Sequence, residues 1–166
     1  MSVEAPGKPP AETEISEGLI KNLIASQFPK LANLPVNIIG EGWDNVMARI
    51  DDELAARMPR HTVGEKLLKR EQRWLPELAP RLPLPVPEPI HIGTPEHGYP
   101  FTWNVVRWIE GECADLSPPL SSEVETFVAF TKAVHVPAPH DAPKNSARDC
   151  PPVSYTHLTL PTTPYV

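Results

Sequence analysis

Residues 34–60 read LPVNIIGEGWDNVMARIDDELAARMPR. Val46, Ala48 and Ile50 alternate with other side chains, Asp51-Asp52-Glu53 turns the chain, and Leu54, Ala56 and Met58 alternate again. A period of two on both sides of a turn predicts a hairpin with one buried face, preceded by a strand over Val36 to Ile39. Arg57 has the opposite parity to the apolar set, so its side chain leaves the sheet on the other face. Between the first two strands lies a glycine-bracketed turn, Gly40-Glu41-Gly42-Trp43-Asp44-Asn45. Such a turn lets backbone amides approach phosphate groups without side-chain obstruction. Hairpins also use glycine for reasons unrelated to ligands, and Trp43 suits either a lid over a nucleotide or a core ring.

After β-type alternation ends, Thr62-Val63-Gly64-Glu65 has the form of a capping box. Leu67, Leu68, Glu71, Trp74, Leu75 and Leu78 follow at helical spacing. This places Glu71 on or beside the buried seam, where a carboxylate asks for a basic partner. Arg57 on the preceding strand supplies one. A cation held over nucleotide phosphates by a helix carboxylate is one use of such a pair; a structural strand-to-helix salt bridge, or simply two solvated charges, is the alternative. Alternating Pro83, Pro85, Pro87 and Pro89 exclude a central strand and suit an extended connector. Ile90 to Gly93 predicts a short strand, His97-Gly98 a turn, and Phe101 to Ile109 the strongest strand of the second half. Upstream, Leu19, Ile20, Leu23 and Ile24 form one helix face that ends before Pro29 and packs on the back of the sheet. Downstream, Ser122-Glu123-Val124-Glu125 resembles a second capping box, opening a helix with Phe127, Val128, Phe130, Thr131 and Val134. His135 closes that helix in a local role.

At 166 residues and 40% apolar content the chain can bury one modest core. The net charge of -6 comes from scattered acids with no basic-aromatic stripe, which argues against nucleic-acid binding. No apolar run approaches the length that crosses a bilayer, so the expectation is a soluble, cytoplasmic protein without a membrane partner. Cys113 and Cys150 lack metal-site spacing, and no metal ligands are assigned. The 23 prolines, about three times the usual frequency, mark boundaries and rigid turns.

Three separated segments, 34–60, 65–90 (EKLLKREQRWLPELAPRLPLPVPEPI) and 98–112 (GYPFTWNVVRWIEGE), together resemble the amino-terminal lobe of the aminoglycoside phosphotransferase family, whose fold is protein-kinase-like. The resemblance covers about residues 14–140. It implies an α+β fold, an antiparallel sheet with packed helices, and ATP or GTP with Mg2+ as donor for a small hydroxyl-bearing acceptor. By position, Gly40, Glu41, Gly42, Trp43 and Asn45 would cover the phosphates. Arg57 would contact them with Glu71 as partner, and Arg107, Trp108 and Ile109, followed by Glu110, would form the hinge against the purine. Arginine stands at 57 where protein kinases use lysine, and its fixed fork of donors serves phosphate with different geometry.

The family's His-Gly-Asp catalytic loop and its metal-binding Asp setting do not occur in this sequence. No catalytic residue is assigned: among His135, His140, Asp141 and Asp149, His135 has its local role at the helix end, and Asp141 and Asp149 sit in a proline-rich stretch with no strand or glycine turn to fix them. The expected organisation is a flexible leader over 1–12, the kinase-like lobe over 13–112, a linker and first helix of a second lobe over 113–145, and an irregular tail over 146–166. The tail segment VSYTHLTLPT resembles a translated sequencing adapter, although Tyr155 to Leu160 also suits a short strand. A truncated, inactive phosphotransferase is the leading expectation; a regulatory or interaction domain reusing the lobe is the alternative, and a ligand-free α+β domain a third. The acceptor and oligomeric state are not specified by the sequence.

Overall fold

The computed structural model describes residues 9–112, 114, 116–137 and 140–141. The chain divides into two compact units, 1–136 and 137–166, and every element named below belongs to the first. In chain order these are α1 (Glu17–Gln27), β1 (Val36–Glu41), β2 (Asn45–Ile50), β3 (Leu54–Pro59), α2 (Thr62–Leu78), β4 (Pro89–Gly93), β5 (Trp103–Arg107) and α3 (Val124–Val134). The five strands form one antiparallel sheet in the order β1-β2-β3-β5-β4. This is the α+β, kinase-like lobe that the alternation and the three segments predict.

Strand parity sorts the side chains into two faces. Val36, Val46, Ala48, Ile50, Ala56, Met58, Trp103 and Val105 share one core with Ile20, Leu23 and Ile24 of α1. Helix α1 opens with Ser16, whose Oγ accepts from the Leu19 amide at 3.2 Å. Glu17 binds the Ile38 amide of edge strand β1 at 3.0 Å, satisfying a donor that an edge would expose. The opposite face carries Arg49, Ala55, Arg57, Asn104 and Val106, and α2 lies over it, joined through Glu71 and Gln72.

Several local expectations are corrected. Thr62 is not the cap of α2; His61 is, its Nδ1 accepting from the Gly64 amide at 3.0 Å. Glu65 does not reach back, because its carboxylate accepts from the Thr102 amide and pairs with Lys69. At α3 the Glu123 carboxylate reaches back to the Leu120 amide, so the boxed segment starts two residues before Ser122. The strand of the second half is shorter than 101–109, since Phe101 packs edge-on against Tyr99 before β5 begins. Pro76 lies inside α2 rather than at a boundary. Pro89 occupies the edge strand β4, where a missing amide does least harm. Cys113, Asp149, Cys150 and the segment 155–160 lie outside the described residues.

Candidate functional site

A single row of side-chain positions crosses the sheet on the α2 side: Gly40 opposite Met47, Met47 opposite Arg57, Arg57 opposite Asn104, and Asn104 opposite Ile92. Gly40 enters this row through a bulge between Ile38 and Gly40, which shifts parity at the end of β1. The sheet therefore carries the end of the glycine turn and the Arg57 side chain on the same face. From α2, Glu71 meets Arg57 with both carboxylate oxygens, one of them 3.3 Å from Nη2. The pair is only partly covered, with side-chain exposures of 15% for Arg57 and 34% for Glu71. Beside it, Gln72 Nε2 donates to the buried Asn104 Oδ1 at 2.6 Å, while Asn104 Nδ2 has no partner.

The turn itself is open. Trp43 is 54% exposed and is therefore not a core ring. A Cβ at Gly40 would meet nothing within 4 Å, and one at Gly42 would come no closer than 3.4 Å to the Asn45 carbonyl oxygen. Neither glycine has a positive φ. The hairpin's own geometry thus gives no reason for glycine at these two positions.

At the hinge, the Trp108 amide is bonded to the Glu53 carbonyl at 2.7 Å, so it is not available to a base. Arg49 lies 4.1 Å over the Trp108 ring and also binds the Asp51 and Asp52 carbonyls and Glu110. Arg107 and Ile109 are exposed and line a cleft of about 370 Å³ with Leu82, Pro85, Val86 and Ile90. This cleft is walled by the proline connector and does not include Arg57 or Glu71. Among the described residues no cluster of His, Cys, Asp or Glu is arranged to hold a metal ion. No helix among them is long and apolar enough to cross a membrane.

Sequence reasoning missed Arg49, Arg60, His61, Gln72 and Asn104. Asn104 had a readable signal, a polar residue inside the apolar strand WNVVR; Arg60-His61 stood at a strand-to-helix corner, where charge is ordinary.

A five-stranded antiparallel sheet with a helix whose carboxylate meets a strand cation is the architecture of a kinase-like lobe. The profile of the phosphotransferase enzyme family, APH, matches residues 35–160, and the chain belongs to that family. The match runs beyond residue 145, where family-like sequence was expected to stop, and gives no support to an adapter-derived tail. Among solved structures, the GDP complex of aminoglycoside 2'-phosphotransferase-IIIa superposes with a TM-score of 0.63 at 20% identity, covering 72% of this chain and 42% of that one. A point mutant of the same enzyme gives 0.63 at 20%, covering 71% and 41%. The GDP and kanamycin complex of APH(2")-IIia gives 0.61 at 21%, covering 69% and 40%. The chain thus spans about two fifths of the length of these structures, and the likeness is one of fold. No curated protein matches.

Proposed function

We propose that this chain is the nucleotide-covering part of a small-molecule phosphotransferase, which transfers the γ-phosphoryl group of ATP or GTP to a hydroxyl of an antibiotic or metabolite. The observation that carries the reading is the Arg57–Glu71 pair on the same sheet face as a turn whose glycines the fold itself does not require. Arg57 would set a delocalised cation against the α and β phosphates, and Glu71 would hold the guanidinium in place. Amides of the turn 40–45 would cover the phosphates. Arg107, Trp108 and Ile109 would flank the base, with the Trp108 amide already committed to Glu53.

The residues present fit a nucleoside triphosphate: an open glycine turn and a mostly covered cation that keeps some exposure on one face. Mg2+ would offset phosphate charge when bound, but no described residue cluster here would ligate it. The sequence has no His-Gly-Asp base loop. We therefore assign nucleotide binding to this chain and catalytic residues to none of its positions. Saturable binding of ATP or GTP, measured by calorimetry on the 166-residue chain, tests the reading. Arg57→Ala should weaken binding at least tenfold with the fold intact, and unchanged affinity would sink the assignment of Arg57.

A further inference from the structure

We infer that Arg60 is a positioning residue for the phosphate-covering turn, aiming the amides of Trp43, Asp44 and Asn45 together at an anion. The inference rests on the nucleotide reading above and adds a residue and a mechanism to it. Arg60 follows β3 directly and is buried, with its Nε unpartnered. Its Nη1 donates to the carbonyls of Gly42 at 3.3 Å and Trp43 at 3.1 Å, and its own amide donates to the Asp44 carbonyl at 2.9 Å. The neighbouring His61 Nε2 lies 3.2 Å from the same Trp43 carbonyl. Three successive carbonyls of the turn therefore point at one corner.

In a trans peptide the C=O and the following N–H point in opposite directions, and no peptide bond among the described residues is cis. Fixing those three carbonyls inward turns the amides of Trp43, Asp44 and Asn45 away from the corner. The Gly42 carbonyl, which would close an ordinary β-turn by accepting from Asn45, is taken by Arg60 instead. Successive amides left facing one side make an anion-binding concavity. Two carboxylates stand beside it, and each has a basic neighbour: Glu41 binds Arg60 Nη2 at 2.6 Å, and Asp44 lies 3.6 Å from His61 Nε2. Arg60 also accepts, through its carbonyl, the Glu12 amide at 2.8 Å, while the Glu12 carboxylate holds Thr62 at the start of α2. The corner is thus fixed to the helix that carries Glu71.

Backbone amide spectra of the ¹⁵N-labelled 166-residue chain test this with three probes: inorganic tripolyphosphate, ATP or GTP, and the matching nucleoside. In the wild type, tripolyphosphate should shift the Trp43, Asp44 and Asn45 amides saturably. Arg60→Met should weaken tripolyphosphate and nucleotide at least tenfold and leave nucleoside affinity unchanged, with Arg60→Lys recovering part of the loss. A merely structural role would lower nucleoside and nucleotide affinity alike, and that result overturns the inference. So does a wild type whose three amides ignore tripolyphosphate, a measurement that needs no variant to fold. If tripolyphosphate engages the amides in an Arg60-dependent way but nucleotide binds no better than tripolyphosphate and nucleoside not at all, the role of Arg60 stands and the nucleotide reading fails.

Discussion

Gly64 sits in the first turn of α2 with an ordinary φ, so the backbone does not require glycine there. In a free helix, replacing glycine by alanine gains up to about 1 kcal/mol. Here the added Cβ would stand 2.7 Å from the Asp44 carbonyl oxygen and 3.4 Å from its carbon. That oxygen is part of the backbone and already accepts from the Arg60 amide at 2.9 Å. Restoring ordinary contact requires a displacement of about 0.7 Å, which stretches that bond or lifts the turn off the helix. Overpacking of this kind costs about 1–3 kcal/mol, so Gly64→Ala should lose about 1 kcal/mol net. Urea unfolding should show a lower midpoint at unchanged slope, with a melting temperature lower by about 4 °C. A gain of about 1 kcal/mol, the value for an unobstructed helix, would refute the contact between α2 and the glycine turn. Gly40→Ala is the control: nothing lies within 4 Å of its Cβ, so stability should stay within about 0.5 kcal/mol while nucleotide affinity falls.

Gly93→Ala would drive a Cβ into the Trp103 ring, in a core where Phe28 already packs edge-on against that ring; a loss of about 2–3 kcal/mol is expected, and a melting temperature within about 2 °C of wild type would refute it. Burial pushes the Glu65 carboxyl up, but bonds from Lys69 and Thr102 outweigh this and hold it below its ordinary value of 4.5. A depressed carboxylate contributes stability above its unfolded value and loses it as pH falls through its folded one. Glu65→Gln should therefore show a shallower loss of melting temperature between pH 7 and acid than wild type, and parallel curves would contradict the assignment.

The sheet was legible because its signal is local. Alternation in 46–50 and 54–58, the Asp51-Asp52-Glu53 turn and the proline series each follow from period or φ restriction, and the Arg57–Glu71 meeting followed from parity plus helical spacing. Capping was less legible. Thr62 looked like a cap by residue type, yet the imidazole of His61, one residue earlier, reaches the Gly64 amide and leaves Thr62 to Glu12, fifty residues upstream. Contacts at such separations leave no periodic trace. The same holds for Asn104, whose partner Gln72 lies thirty-two residues away on another element, and for the grip of Arg60 on the turn carbonyls.

Whether the Arg57–Glu71 pair serves the fold or a ligand can be decided by what surrounds it. The covered part of the same sheet face is mostly apolar: Ala55 and Val106 are buried there, as is Leu68 on α2, with Asn104, bonded to Gln72, a polar exception beside the pair. An ion pair set into such a seam gains little net stability, and an apolar pair of similar volume often anchors as well or better. A fold that needed only to hold α2 would be served by continuing the apolar seam. Arg57→Met combined with Glu71→Leu should accordingly keep or raise the urea midpoint while abolishing nucleotide binding. Arg57→Met alone should lower the midpoint, because it leaves a partly covered carboxylate unpaired. Should the double variant unfold as readily as the single one, the pair would be structural, and the case for a phosphate-directed cation at position 57 would fall with it.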